Sequence, residues 1–252
     1  MTKRNYILKV LVLAALMTFV LSGCVAVGFT DGIGQNGSIN GKGEMETVEY
    51  AMSDYTEVRV DANVAIVYTA AASDIVKVEA QKNLLEHLLI SSENGILRIT
   101  SDKNLITDKN KTPVIHIFAP ALSRLEFTGL VQIKDSDPIT SNKLHLLVDG
   151  SLSGNLVLDT EKLTVEVNGT ADMTLSGSAS IANITVDGAG TLNALELETK
   201  DSSVELSGSG DISLSCSDTL NIQIDGAGNI TYRGAPSVQQ QIDGAGNITQ
   251  VK

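Results

Sequence analysis

The sequence predicts an all-β protein: a β-helix or solenoid-like stack of coils, each 18–20 residues long and built from two short strands. Three observations predict it. A glycine-centred motif recurs as Val167-Asn-Gly-Thr-Ala-Asp, Val186-Asp-Gly-Ala-Gly-Thr, Leu206-Ser-Gly-Ser-Gly-Asp, and Ile224-Asp-Gly-Ala-Gly-Asn, which returns at Ile242. Its first glycines, Gly169, Gly188, Gly208, Gly226 and Gly244, are spaced 19, 20, 18 and 18 apart, and looser copies place Gly150 and Gly129 in the same role. A fixed period of this length marks stacked coils. Finally, apolar residues alternate on both sides of the glycine, whereas helical spacing is nowhere sustained through the repeats.

In chain order the first element is a leader. Lys3, Arg4 and Lys9 precede an apolar run from Val10 to Leu21, too short to span a bilayer but suited to the core of a signal peptide. Leu21-Ser22-Gly23-Cys24 resembles the lipobox of bacterial lipoproteins, which implies cleavage after residue 23 and a lipid on Cys24; an ordinary secretory signal is the alternative. Cleavage removes three basic residues and no acid, so the net charge moves from −12 to −15. Such a chain is not drawn electrostatically to nucleic acid or to an anionic lipid surface. Residues 24–43, with Gly28, Gly32, Gly34, Gly37, Gly41 and Gly43, read as a flexible tether.

The folded part is expected over 44–252. Residues 44–120 lack the glycine motif but remain β-rich. Val58–Val60 and Val64–Tyr68 flank a turn at Asp61-Ala62-Asn63, and further strands fall at Ile75–Ala80, Gly95–Thr100 and Val114–Phe118. Leu84–Leu89 fits one helical turn or a strand, the turn being preferred, and Asp102–Thr112, rich in Lys and Asp, reads as a solvated loop. This stretch is expected to cap or continue the stack.

Over 121–252, counting from the first glycine, positions −6, −4 and −2 read Leu163, Val165 and Val167 in one coil and Leu220, Ile222 and Ile224 in another, with Ser202, Val204 and Leu206 between them polar only at the first; +4 and +6 read Met173 and Leu175, then Ile212 and Leu214. The residue before the glycine is always a turn former, among them Asp149, Asn168, Asp187 and Ser207. Five inward side chains stabilise a coil by roughly 2 kcal/mol each, while ordering its backbone costs on the order of 20–40 kcal/mol. One coil cannot fold alone; seven, hydrogen-bonded at about 4.8 Å, form a segment roughly 30 Å long.

Candidate sites are few. The Asp-Gly corners invite a calcium reading, but the period is twice that of the calcium-binding nonapeptide repeat. Asp149, Asp187 and Asp225 also alternate with Asn168 and Ser207, and only Asp225 and Asp243 stack directly. Turn formation with carboxylates kept apart is the simpler account. His87, His116 and His145 are well separated in sequence and form no metal-ligand pattern, and Cys24 and Cys216 are the only cysteines. Neither a catalytic constellation nor a cofactor motif is recognised.

The opening Val58-Arg59-Val60, then Gly95-Ile96-Leu97-Arg98-Ile99, Pro120-Ala121-Leu122-Ser123-Arg124-Leu125, the Gly-x-Gly corners and finally Tyr232-Arg233-Gly234-Ala235-Pro236 together resemble the putative autotransporter adhesin family with a head GIN domain, over nearly all of 48–250. The resemblance implies a β-helix-like, secreted or envelope-anchored domain and carries over no catalytic residue. The expected function is that of a non-enzymatic protein, anchored by lipid on Cys24 to the extracytoplasmic side of a bacterial membrane, that presents a rigid solenoid to a protein or glycan ligand. A scaffold or sensor partner of an envelope stress system is the alternative. A polysaccharide-active β-helix enzyme is disfavoured, because the coils from Gly150 onward carry no insertion long enough to build a cleft.

Overall fold

The computed structural model describes residues 37–108 and 110–252; the predicted leader and Cys24 lie outside the described residues. The N-terminal part contains β1 (Ser38–Asn40), β2 (Met45–Ala51), β3 (Glu57–Asp61), β4 (Val64–Thr69), β5 (Ile75–Gln81), α1 (Lys82–Leu85), β6 (Leu88–Glu93), β7 (Ile96–Ser101), β8 (Asn104–Ile106) and β9 (Val114–Phe118). The repeats follow as β10 (Arg124–Phe127), β11 (Leu130–Ile133), β12 (Ile139–Val148), β13 (Ser151–Val167), β14 (Thr170–Val186), β15 (Ala189–Leu206), β16 (Ser209–Ile224), β17 (Ala227–Arg233), β18 (Ser237–Ile242) and β19 (Ala245–Val251).

From β10 onward each coil lies parallel and in register on the next. Leu163, Val165 and Val167 of β13 stand over Ala182, Ile184 and Val186 of β14, which stand over Ser202, Val204 and Leu206 of β15. The result is a β-solenoid of about seven turns. Inward residues at −6, −4 and −2 form a short arm. The other arm is longer than the sequence suggested: in β13 the inward positions run from Leu152 through Leu156 and Leu158 to the buried Thr160. The arms join without a break in the strand, so the two short strands expected per coil form one strand of 16–18 residues in β14–β16. Two exposed residues in succession, Glu161 and Lys162 in β13, mark a second corner where the alternation changes phase.

The first corner explains the motif. A Cβ at Gly169 would fall on the Gly150 carbonyl oxygen, one at Gly188 on that of Gly169, and one at Gly208 on that of Gly188. None of these three has a positive φ, so glycine is required here by the close approach of the coil beneath. The longer spacing from Gly188 to Gly208 is absorbed as a register shift between Thr174 and Ser176 against β15. There Arg233 lies 3.3 Å from Glu196 and donates to the Leu195 carbonyl, holding the extra residue.

Residues 44–120 continue the stack and close one end of it. The β3–β4 rung lies between β10–β11 on one side and β7–β9 on the other, all parallel. β6 then pairs antiparallel to β7, and β5 antiparallel to β9 and β2. Hairpins thus occupy edges that a bare rung would leave open. Three readings change in detail. Residues 38–40, assigned to the tether, pair in parallel with 104–106, so order begins before residue 44. The solvated loop contains that strand, held by the buried Leu105; a single inward side chain is too little periodicity to read. The segment Leu84–Leu89 is both alternatives in turn, with α1 ending at Leu85 and β6 starting at Leu88.

Candidate functional site: a groove along the second corner

The second corner repeats in every coil, and its repetition makes a groove of about 1480 Å³. One end is bounded by Thr56 and Pro120–Ser123, the other by Gly234 and Ala235. A column of short side chains set in register, Ser141, Thr160, Ala179, Thr199 and Cys216, forms the floor. These residues hold the bend. Thr160 Oγ1 donates to the Lys162 carbonyl at 3.2 Å, Thr199 Oγ1 to the Ser215 carbonyl at 2.6 Å, and Cys216 Sγ to the Lys200 and Thr219 carbonyls at 3.1 Å each. Ser141 Oγ is buried and finds no partner among the described residues.

Charged and hydroxyl-bearing side chains line the walls. They include Lys143 and Lys200, the carboxylates Asp159, Glu161 and Glu198, and the hydroxyls of Ser178, Ser180, Ser215 and Ser217. Ser178 Oγ donates to Asp159 at 3.1 Å. Two buried tyrosines fasten the Pro120 end: the Phe118 amide donates to Tyr55 Oη at 3.0 Å, and Tyr68 Oη donates to the Ala119 carbonyl at 2.9 Å. Burial pushes the Tyr55 phenol up to about 12 and raises that of Tyr68, the latter also through the charge of Asp137.

The residues singled out in the sequence lie elsewhere. His87 Nδ1 is 2.9 Å from Asp102, His116 Nε2 3.3 Å from Glu79, and His145 Nε2 3.2 Å from Glu166, at three separate places. Hydrogen bonding to Lys77, with help from the charges of Lys77 and His116, holds the Glu79 carboxyl below its usual range. Three of the corner carboxylates are engaged by neutral amides: Asn168 donates to Asp149 at 2.6 Å, Gln223 to Asp225 at 2.7 Å and Gln241 to Asp243 at 2.5 Å. Among the described residues no three His, Cys, Asp or Glu side chains converge as a metal site. The groove itself was missed. Its signal was present: Thr160, Thr199 and Cys216 recur where an inward aliphatic residue would otherwise stand, each beside a break in alternation.

A family model described as "Putative auto-transporter adhesin, head GIN domain" matches residues 54–236. Among solved structures, a "putative adhesin" from Bacteroides fragilis is 22% identical with a TM-score of 0.78, covering 84% of this chain and all of its own. A "putative lipid binding protein" from Parabacteroides distasonis is 22% identical with a TM-score of 0.66, covering 85% of this chain and all of its own. A "putative adhesin" from Parabacteroides merdae is 19% identical with a TM-score of 0.61, covering 85% of this chain and 99% of its own. At these identities the likeness establishes the shared fold. No curated protein matches the chain.

Proposed function

The chain belongs to the head GIN domain family, and on that premise we propose that it is a non-enzymatic adhesin of the bacterial envelope, anchored by lipid on Cys24, that holds an extracellular partner against its solenoid. The observation that carries this reading is the groove at the second corner. It is open, crosses the stack from the Pro120 end to Gly234, and is fixed by hydrogen bonds within rungs at Thr160 and Cys216 and between rungs at Thr199. A surface built on a stacked sheet is preorganised, so binding costs little ordering entropy. Asp159 accepts from Ser178 Oγ, and among the described residues no histidine lines the groove to activate that hydroxyl as a nucleophile.

The solved relative named for lipid binding suggests a second kind of ligand. An acyl chain prefers an enclosed apolar site, and five ionisable side chains line this open groove, so the adhesin reading is favoured. Two measurements test it. The wild-type protein should incorporate labelled fatty acid and partition with membranes, and Cys24→Ala should release it in soluble form. Beads coated with the protein should adhere to cells or to isolated envelope, whereas beads coated with an unrelated acidic protein should not. Failure of the coated beads to adhere would remove the adhesin reading.

A further inference from the structure

We propose that the groove binds an uncharged, extended glycan laid along the solenoid axis; this rests on the adhesin reading above and assigns its ligand class. Three observations point to it. The groove repeats chemically along one wall, where Thr140, Asp159, Ser178, Glu198 and Ser215 stand in register and set a hydroxyl or a carboxylate on each coil. At about 4.8 Å per coil, the coils of β12 to β16 set these groups along roughly 20 Å. A ligand that meets them in series is itself a chain with polar groups at short, regular intervals.

Backbone pairing removes the second class of extended ligand. On both sides of the corner, residues of β13, β14 and β15 already hydrogen-bond to the coils above and below: Thr160 is in register with Ser141 and Ala179, and Lys162 with Lys143 and Ile181. A peptide adding as a strand needs an unpaired edge, and the groove offers none along its length. Recognition falls to side chains, and Ser, Thr, Asp, Glu and Lys are the donors and acceptors that read hydroxyl groups.

Charge narrows the class further. Two lysines and three carboxylates leave the groove nearly neutral, within a molecule of net charge −12. A polyanion is repelled by the molecule as a whole, whereas an uncharged polyol meets no such barrier.

The full-length protein in detergent micelles tests this by titration with cello-oligosaccharides of increasing length and with a polyuronate. Affinity for the neutral series should rise with chain length until the groove is filled, and the polyuronate should bind more weakly. Ser180→Trp with Ser217→Trp, both on exposed wall positions, should weaken binding about tenfold or more. Thr191→Trp, on the outer face of the long arm, should leave it unchanged, and both variants should melt with the parent. Periodate treatment of the target surface should abolish bead adhesion. Adhesion that survives periodate, with no saccharide bound, would overturn the glycan assignment and leave the adhesin standing. Saccharide binding lost in Thr191→Trp but kept in the groove variant would overturn the location.

Discussion

At the scale of single residues, the corners show how little a side chain can be while still being required. Cys216 occupies a floor position equivalent to Thr160 and Thr199, 2% exposed, and its thiol donates to the same kind of carbonyl. Cys216→Ser keeps the donor and should leave the urea midpoint nearly unchanged. Cys216→Ala strands two carbonyl acceptors and should cost about 1 kcal/mol; equal stability of the two variants would refute the hydrogen-bonding role. At the first corner, Gly188→Ala drives a methyl onto the Gly169 carbonyl oxygen and should cost roughly 2–3 kcal/mol. The same change at Gly129 meets the Ala62 backbone and should behave alike. Tyr55 makes a pH prediction. Burial pushes its folded pKa up to about 12, above the ordinary phenol value of 10.0. The neutral phenol is therefore the form the fold favours, and its contribution is complete below pH 10 and lost as pH rises from there toward 12. Denaturant midpoints measured across that window should fall for the wild type and fall less steeply for Tyr55→Phe.

At the scale of elements, the last rung is the instructive one. β18 and β19 repeat the inner coil nearly letter for letter, since Gln223–Thr231 and Gln241–Thr249 are the same nine residues. Yet Gln240 stands in register with Ile222 and Gln250 with Tyr232. Two amides at inward positions turn an inner coil into a closing one, as a terminal repeat needs a polar outer surface; Gln250 donates to the Gly234 carbonyl at 2.7 Å. Restoring the inner pattern with Gln240→Ile and Gln250→Tyr should expose an apolar edge and drive self-association, read by light scattering. A variant that stays monodisperse would show that the amides do not protect this end. The same comparison explains what was legible in the sequence. The first corner was plain because one residue type is forced by backbone contact in seven successive coils. The reach of the long arm was hidden because its inward positions hold Gly154, Gly177, Ala179 and Thr199 in place of aliphatic residues, and with it went the groove. The N-terminal end was read only as a cap or continuation: its order in space, β7–β9 outside β3–β4 and β3–β4 outside β10–β11, departs from its order in the chain, and no local pattern encodes that.

At the scale of the whole molecule, stability is set by which coils have two neighbours. Each coil of β13 to β15 is hydrogen-bonded on both sides along nearly its entire length, so opening one of them breaks two interfaces. The coil of β18 and β19 has one neighbour, on β16 and β17, and its Ile242 is 42% exposed where Ile224 is fully buried. In a one-dimensional stack, stability is the sum of coil and interface terms, and the least costly opening starts at an end. The two ends are unequal, because hairpins and α1 close the first while the other carries only the amide-bearing rung. Amide exchange should therefore be fastest over 237–251, slowest over 163–206, and only moderately faster in β3 and β4 than in the centre. Gly188→Ala tests whether the gradient comes from stacking. Weakening the interface between the coils cornered at Gly169 and Gly188 should speed exchange on both sides of it, and should let everything C-terminal open as a unit while β3, β4, β10 and β11 keep their protection. Uniform acceleration from β3 to β19 would mean a single cooperative block, and the coil-by-coil account of this fold would fail.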